Sequence, residues 1–347
     1  MKALTLTATG GLNNLLLQNV PEPELIAPDD VRVRIQAGAL NRLDLFVVTG
    51  LPGVKYSFPH IMGTDGAGTV ESTGARATRF RPGDRVMINP GISCGHCEWC
   101  EAGEEPLCLT YGVLGEHRNG TLAEFVVVPE RNLAPVPTEM SISQAAAFPL
   151  ATLTAWRMLT TRAALRPGET VLIWGIGGGV AVAALKVAKL KGATVIVTSS
   201  SDAKLERARQ LGADVMLNHA TTDVPKEIRS LTSKRGVEVV VDNVGEQTWE
   251  KSLRCLARKG RLVTCGATTG PMCVTDVRKL FWYQWSILGS TMGSHEEYRA
   301  VAEQAARGRL WPEVDTVVPL AEARRAFERL ERAEQLGKIV IEVTKDE

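Results

Sequence analysis

Residues 170–181 read TVLIWGIGGGVA and combine a short apolar strand, a glycine-rich turn and the start of a helix. A turn of this kind lets the backbone approach a pyrophosphate, whose negative charge is stabilised at the N-terminus of the following helix. A merely tight connection would not need four glycines in five positions. We therefore predict that the turn binds a dinucleotide through Gly175, Gly177, Gly178, Gly179 and Val180.

Strands and helices alternate along the chain after this turn. Beyond the helix that begins near Val180, they are expected at Thr194–Thr198, Asp202–Leu211, Val237–Val241, Thr248–Ala257 and Arg261–Cys265. A hydrophobic period that switches between two and about 3.6 residues is typical of a parallel sheet with helices on its faces. The pattern predicts an α/β fold with a Rossmann doubly wound parallel sheet.

The first 150 or so residues show a different pattern, in which short strands are joined by turns. Val31–Ile35 alternates apolar and polar residues, and the turn Arg81–Asp84 leads into another strand. Helical patterns appear only at Gln144–Ala147 and Thr154–Ala164. Strands without intervening helices predict a β-rich, barrel-like domain before the nucleotide turn.

The C-terminal part returns to a mixed pattern. It contains helical stretches at Glu297–Arg307 and Ala321–Glu334 and a strand at Lys338–Val343. The sequence leaves open whether this last strand joins the sheet of the first domain. Because 347 residues exceed the size at which a single core stops growing, we expect two domains.

The overall charge is balanced, with 40 Lys and Arg against 39 Asp and Glu. This balance gives no electrostatic footprint for nucleic acid or for an anionic membrane. The chain also contains no stretch that approaches the roughly twenty apolar residues of a membrane span. We expect a cytoplasmic protein without nucleic-acid or membrane partners.

Four of the seven cysteines lie within fifteen residues, as Cys94, Cys97, Cys100 and Cys108. Four thiolates in a short loop fill the tetrahedral shell of a zinc ion and leave no position for a substrate, so we predict one structural Zn²⁺ per chain. The alternative is four free thiols or two disulfides, which this spacing disfavours in a reducing compartment. His96 is superfluous once four sulfurs bind.

The end of the second predicted strand bears on the choice of nucleotide. An acidic residue usually stands there to bind the ribose of NAD, but this chain has Ser199 and Ser200, with Lys204 soon after. Serine hydroxyls and a lysine suit the 2′-phosphate of NADP. We therefore favour NADP(H) over NAD(H), with Asp202 as the alternative ribose acceptor for NAD.

Several motifs together resemble the medium-chain dehydrogenase/reductase superfamily, which includes zinc-type alcohol dehydrogenases and quinone oxidoreductases. They are Gly63–Gly68, Arg81–Val86, Gly120–Phe125, Leu150–Trp156 and the cysteine cluster. The resemblance implies a GroES-like catalytic domain formed by residues 1–152 and 292–347, with a zinc lobe at about 90–112. It also implies a Rossmann domain at 153–291, a substrate cleft at the junction, and a homodimer or homotetramer.

The chain departs from the zinc alcohol dehydrogenase pattern at the catalytic metal. Where that family has cysteine, histidine and cysteine ligands, the matching positions here are Asn41, Thr64 and Leu150. We therefore expect no catalytic zinc, with a site formed by Asp44, Asp65 and His60 as the alternative. Asn41–Asp44 instead resembles the Asn-x-x-Asp segment of the quinone oxidoreductase branch.

That branch implies hydride transfer from NADPH to quinones or α,β-unsaturated carbonyl compounds. The candidate residues of the catalytic cleft are Asn41, Thr64, Tyr56 and Asp44, with Arg42 as a further donor. By position, the resemblance adds Asn243, Gly266 and Met292 as contacts of the nucleotide. The alternatives are an alcohol dehydrogenase that interconverts alcohols and carbonyl compounds with NAD(P), and a nucleotide-binding sensor with little catalysis.

Overall fold

The computed structural model describes residues 1–344, which form two compact units. The first unit contains Met1–Leu153 and the segment that begins at Gly293, and the second unit is Thr154–Met292. Both ends of the chain thus contribute to one unit. None of the helices within residues 1–344 is long and apolar enough to cross a membrane.

The strands and helices within residues 1–344 have the following bounds. The strands are β1 (Lys2–Leu6), β2 (Leu15–Asn19), β3 (Asp30–Ala39), β4 (His60–Ile61), β5 (Asp65–Thr73), β6 (Arg85–Ile88), β7 (Gly91–Ile92), β8 (Gly112–Val113), β9 (Phe125–Pro129), β10 (Leu133–Pro135), β11 (Thr170–Ile173), β12 (Thr194–Ser199), β13 (Val215–Asn218), β14 (Val237–Val241), β15 (Leu256–Thr264), β16 (Ser286–Gly289), β17 (Val314–Pro319) and β18 (Lys338–Glu342). The α-helices are α1 (Arg42–Thr49), α2 (Glu98–Glu101), α3 (Ile142–Ala147), α4 (Pro149–Trp156), α5 (Gly179–Leu190), α6 (Asp202–Gln210), α7 (Val224–Leu231), α8 (Trp249–Cys255), α9 (Val277–Tyr283), α10 (His295–Ala306) and α11 (Ala323–Glu331).

The second unit is a Rossmann domain, which confirms the α/β prediction. Its six strands are all parallel, in the order β13-β12-β11-β14-β15-β16. The chain runs outward from β11 in one direction and from β14 in the other, so the strand order reverses between these two strands. Ligands of such sheets bind beyond the carboxyl ends of the strands at this reversal, which is where the turn after β11 lies.

The first unit is built around a mostly antiparallel sheet. Its strands follow the order β10-β6-β5-β3-β18-β17, and β9 also pairs with β3. The register of β18 on β3 places Val340 opposite Ala39 and Glu342 opposite Ala37. The last strand therefore returns to the sheet of the N-terminal part, the possibility that the sequence left open.

A buried apolar cluster joins α1, α11 and β18 in this unit. Val47 and Val48 of α1 pack in the same cluster as Phe327 of α11 and Ile339 and Ile341 of β18. Burial of one such side chain contributes on the order of 2 kcal/mol to stability. The packing brings the first turn of α1 close to the first residue of β18.

One predicted helix begins earlier than expected. The sequence pattern predicted a helix at Thr154–Ala164, whereas α4 starts at Pro149 and passes into a π-helical turn at Arg157–Arg162. Proline lacks an N–H donor and suits the first turn of a helix, where that donor would have no partner. The earlier start places Leu150 in the first turn, where its N–H group is available to a side chain.

Candidate active site and metal centre

The four cysteine thiols lie together in the first unit, in a loop that includes α2. All four Sγ atoms fall within 4.8 Å of one another. The Sγ atoms of Cys94 and Cys100 are 3.9 Å apart, and those of Cys97 and Cys100 are 3.6 Å apart. A zinc ion with bonds of about 2.3 Å would require sulfur separations of about 3.8 Å. The cluster therefore fits zinc, and the separations are too long for disulfides.

Backbone N–H groups stabilise the negative charge of the deprotonated sulfurs through hydrogen bonds. The N–H of Cys94 donates to Sγ of Cys108 at 3.4 Å, and the N–H of Gly95 donates to Sγ of Cys100 at 3.3 Å. The first of these bonds is the main reason why the pKa of Cys108 falls to about 6. Gly95 adopts φ = 85°, a left-handed conformation that glycine adopts at little cost. His96 is exposed, and its Nδ1 lies 3.0 Å from the carbonyl oxygen of Cys94.

The glycine-rich turn leaves open space beside its backbone. A Cβ atom built on Gly175 or Gly178 would meet no protein atom closer than 3.9 Å. These glycines therefore do not relieve crowding within the protein. Gly178 is also the N-cap of α5 and has no side chain to accept from the first N–H groups of the helix, so these groups remain for an anion.

The end of β12 lies beside this turn. The N–H of Gly175 donates to Oγ1 of Thr198 at 3.3 Å, and the N–H of Ile176 donates to the Thr198 carbonyl at 2.9 Å. Oγ of Ser199 accepts from the N–H of Ser201, and Ser200 is exposed. Thr198, at the end of β12, thus stands next to the turn.

Asp202 and Lys204 follow in the first turn of α6. Oδ1 of Asp202 accepts from Nδ2 of Asn218 at 2.7 Å. The Lys204 N–H lies 3.4 Å from Oγ of Ser201, which caps this helix. The carboxylate of Asp202, the alternative ribose acceptor, is therefore already held by the neighbouring strand, β13.

Three further predicted nucleotide contacts follow the later strands of the same sheet. Asn243 comes after β14 and Gly266 after β15, and a Cβ on Gly266 would lie 3.5 Å from the Asn243 carbonyl. Oδ1 of Asn243 is buried and has no hydrogen-bond partner within residues 1–344. Met292 is buried with φ = 46°. Asn243 and Gly266 therefore lie together at the edge of the sheet that carries the glycine turn.

A buried polar cluster contains Asn41 and the backbone of Leu150, two of the positions at which the sequence resemblance places the ligands of a catalytic zinc. Nζ of Lys338 lies 2.7 Å from Oδ2 of Asp65 and 2.5 Å from Oδ1 of Asn41, while Nδ2 of Asn41 donates to Oδ2 of Asp65 at 2.9 Å. The N–H of Leu150 donates to Oδ1 of Asp65 at 2.8 Å. Asp65 is fully buried and Lys338 is 3% exposed, so each charge depends on the other.

Asp44 and Thr64 lie next to this cluster. Oδ2 of Asp44 accepts from the N–H of Asn41 at 2.7 Å, which caps α1, and the Thr64 hydroxyl donates to Oδ1 at 3.3 Å. Burial of Asp44 raises its pKa to about 7, and the N–H of Asn41 and the charge of Lys338 oppose this shift. Of the predicted cleft residues, Asn41, Asp44 and Thr64 thus lie in one network.

The remaining candidates lie outside the network. Nη1 of Arg42 donates to the Leu330 carbonyl of α11. Tyr56 packs edge-on against His60, with ring centroids 5.3 Å apart, and its buried hydroxyl lies beside the backbone of Leu51. Nε2 of His60 lies 3.0 Å from the Gly115 carbonyl. Within residues 1–344, the cysteines are the only group of three or more His, Cys, Asp or Glu residues arranged to hold a metal, so the alternative site at Asp44, Asp65 and His60 finds no support.

Sequence reasoning missed two buried charged residues. Lys338 was predicted only as the first residue of a strand, although a lysine that opens the apolar run of residues 339–341 is a signal of a buried partner. The second residue is Asp242, which directly follows β14 and has no local sequence signal. Its carboxylate accepts from the N–H groups of Val244 and Gly245 and from the hydroxyls of Thr248 and Ser252, so it fixes the loop that carries Asn243.

Comparison with known proteins gives matches over almost the whole chain. The profile of the zinc-binding dehydrogenase family matches residues 179–307, and that of the alcohol dehydrogenase GroES-like domain matches residues 27–138. A crystal structure of an NAD-dependent alcohol dehydrogenase is 44% identical, with a TM-score of 0.95, and the match covers 99% of this chain and 100% of that one.

Two characterised relatives carry different names. An NAD-dependent alcohol dehydrogenase of Sulfolobus acidocaldarius is 30% identical, over 99% of this chain and 100% of the relative. A quinone oxidoreductase of Pseudomonas aeruginosa is 32% identical, over 98% of this chain and 99% of the relative. The family therefore includes both alcohol oxidation and quinone reduction, and its name alone does not select one of them.

The first prediction concerns the cysteine cluster. Replacement Cys97→Ser removes one ligand, so the purified variant should lose most of about one zinc per chain and several kcal/mol of stability. The matched control is Cys273→Ser, in the second unit, which should keep zinc and stability. Zinc content by mass spectrometry and thermal unfolding check both variants. Retention of zinc and stability by Cys97→Ser would show that the cluster is not a zinc site.

The second prediction concerns the proton on Asp44. Because its pKa is about 7 in the folded chain against 3.8 as the ordinary value, folding favours the protonated form, and this contribution to stability is lost as the pH rises from about 4 through 7. Asp44→Asn keeps an acceptor for the Asn41 N–H and has no such titration. The stability of the variant relative to the wild type should rise by about 2–3 kcal/mol between pH 5 and pH 8. Urea unfolding at several pH values measures the difference, and parallel pH profiles would contradict the assignment.

Proposed function

Because the chain belongs to the medium-chain dehydrogenase/reductase superfamily of NAD(P)-dependent oxidoreductases, we propose that it transfers hydride from NADPH to quinones or α,β-unsaturated carbonyl compounds. The observation that carries this proposal is the cluster at Asn41, Thr64 and Leu150. By the sequence resemblance these positions match the metal ligands of zinc alcohol dehydrogenases, and in this chain they are bonded to Asp65 and Asp44.

The donor set at these positions is unsuited to zinc. Leucine offers no side-chain ligand, and a zinc ion in an open catalytic site needs about three protein ligands of the nitrogen, sulfur or carboxylate type. The carbonyl oxygen of Asn41 already faces the ammonium of Lys338 at 2.5 Å, and a cation in that place would be repelled. In our proposal, a network of hydrogen bonds therefore occupies the place of the zinc ion that acts as the Lewis acid in the zinc enzymes.

This replacement favours an activated acceptor as substrate. Oxidation of an alcohol removes a proton together with the hydride, and zinc normally polarises that oxygen. A quinone or enone instead spreads the incoming charge onto an oxygen, where hydrogen-bond donors are sufficient to stabilise it. Reduced nicotinamide supplies the hydride when it is bound.

The four predicted cleft residues divide into two roles. The Asn41 amide and the Asp44 carboxylate are committed to partners within the cluster, so we assign them to the positioning of Asp65 and Thr64. The Tyr56 hydroxyl is buried beside the backbone of Leu51 and is not bonded to the cluster, so its hydrogen remains available. Tyr56 is therefore our candidate donor to the substrate oxygen, whereas the Thr64 hydroxyl donates its hydrogen to Asp44 and belongs to the positioning network.

The proposed preference for NADPH depends on the end of β12. An exposed Ser200 and the nearby Lys204 suit a 2′-phosphate, and the carboxylate of Asp202 is bonded to Asn218. Relatives named as NAD-dependent alcohol dehydrogenases make the opposite preference the principal alternative. We also assign one structural zinc to the cysteine cluster.

We further propose that the chain works in the cytoplasm as a homodimer or homotetramer. Strand β16 pairs only with β15 within residues 1–344 and thus has a free edge. The neighbouring helix α9 exposes Val277, Phe281 and Trp282, each more than 60% accessible. A free strand edge beside exposed apolar side chains is the usual setting for association with a second copy.

The third prediction tests the reaction and the nucleotide together. The wild-type chain should reduce quinones and enones with NADPH at least tenfold more efficiently than it reduces simple aldehydes. Lys204→Glu should raise the KM for NADPH about tenfold and change the KM for NADH little, because only the phosphate contact is lost. The matched control is Lys191→Glu. Lys191 lies at the C-terminal end of α5, whereas the glycine turn lies at its N-terminal end, so this variant should leave both KM values unchanged.

Steady-state kinetics across a panel of quinones, enones, aldehydes and alcohols provide the measurement. Activity restricted to alcohols and aldehydes would refute the proposal in favour of an alcohol dehydrogenase. Tight NADPH binding without turnover of any substrate would favour the nucleotide sensor.

A further inference from the structure

A positively charged pocket lies in the second unit, in addition to the predicted nucleotide turn. Its volume is about 400 Å³, and its lining residues are Arg229, Lys234, Arg235, Leu256, Ala257, Arg258, Tyr283 and Trp285. Four of these eight residues are cations, whereas the whole chain has a formal net charge of only +1. We refer to this feature as the arginine pocket.

The arginine pocket lies at the amino ends of the parallel strands, whereas the glycine turn lies at their carboxyl ends. Its residues come directly before or at the amino ends of three neighbouring strands: Arg235 before β14, Leu256 at the start of β15, and Trp285 before β16. The glycine turn follows the carboxyl end of β11. Because all these strands are parallel, the two features are separated by the length of the sheet, and the pocket is not part of the nucleotide site.

Three of the four cations in the pocket have no carboxylate partner among residues 1–344. The side chain of Arg229 donates to the backbone carbonyls of Lys234 and Arg254, which fix its position and leave its charge uncompensated. Within residues 1–344, the pocket's only ion pair joins Arg235 to Glu238, at 2.6 Å. The pocket therefore keeps about three positive charges available to a ligand.

Two aromatic side chains form one wall. Tyr283 and Trp285 stack with centroids 5.1 Å apart, and the guanidinium carbon of Arg258 lies 5.1 Å from the centre of the Tyr283 ring. Nε1 of Trp285 donates to the Ala257 carbonyl at 2.9 Å, which fixes this wall to the start of β15. A guanidinium held against an aromatic ring keeps its N–H edge free for phosphate oxygens.

Strained backbone is concentrated around this pocket. Seven non-glycine residues within 1–344 have positive φ, and four of them belong to or adjoin the lining segments: Ser233, Lys234, Lys259 and Gln284. Residues other than glycine adopt this conformation only where the surrounding structure holds them in it, and such positions are enriched at ligand sites. The turns that carry the cations are therefore held in place by the fold.

We propose that the arginine pocket binds a pyrophosphate-bearing anion. The charge suits a diphosphate group, and the volume lies within the range of small-molecule sites, roughly 300–1,000 Å³. A nucleoside diphosphate and inorganic pyrophosphate share this chemistry. Since the pocket lies away from the glycine turn, the proposal does not depend on the proposed reaction.

The test is a titration of the full chain that carries one equivalent of NADP⁺, which fills the nucleotide turn without an excess that would compete for the pocket through its own pyrophosphate. Inorganic pyrophosphate and ADP are added separately at fixed ionic strength, and binding is followed by calorimetry. The test variant is Lys234→Gln/Arg258→Gln, and the matched control is Lys226→Gln/Lys251→Gln, which also removes two charges from exposed lysines of the same unit. Circular dichroism and thermal unfolding establish that both variants are folded.

The proposal expects at least a tenfold rise in Kd for pyrophosphate in the test variant and less than a twofold rise in the control. Tighter binding of ADP than of pyrophosphate would identify a nucleotide, and equal affinities would identify the diphosphate alone, each consistent with the pocket. No saturable binding to the wild type, or equal weakening in both variants, would overturn the proposal, since the second result indicates nonspecific attraction of anions.

Discussion

The buried carboxylate of Asp65 is the point on which the first unit depends. It binds the ammonium of Lys338, the amide of Asn41 and the backbone N–H of Leu150, and so joins β5, β18, the start of α1 and the start of α4. Removal of one partner from such a buried pair typically costs about 3–5 kcal/mol, because the other charge remains without compensation. The same bonds fix Asn41 and the start of α4 in place.

Zinc can have a structural role or a catalytic role in an enzyme, and in this chain the two roles have to be considered at different sites. The cysteine cluster lies in its own loop, and its four sulfurs would fill the shell of a zinc ion. In the family of zinc-binding dehydrogenases, a second site would carry the chemistry. In our proposal, Asn41, Thr64 and Leu150 take the place of that second site and are bonded to buried carboxylates, and the Tyr56 hydroxyl is the candidate donor to the substrate oxygen.

Local patterns in the sequence were sufficient for much of the fold. The glycine turn, the cysteine cluster and the alternation of strands and helices were predicted because each is written in a few consecutive residues. The contact of Lys338 with Asp65 spans 273 residues and leaves no local pattern, so it was missed. The arginine pocket could not be predicted from the sequence for a related reason. The net charge of the whole chain is close to zero, and its lining residues, spread over positions 229–285, come together only in the fold, at the amino ends of the strands.

The central claim is that the cluster at Asn41, Thr64 and Leu150 does not accept the catalytic zinc of the family. The most direct measurement is anomalous diffraction at the zinc edge from crystals of the chain grown with excess zinc. The account predicts one strong peak per chain, among the sulfurs of Cys94, Cys97, Cys100 and Cys108. A second peak of similar height beside Asn41 and Thr64 would contradict it.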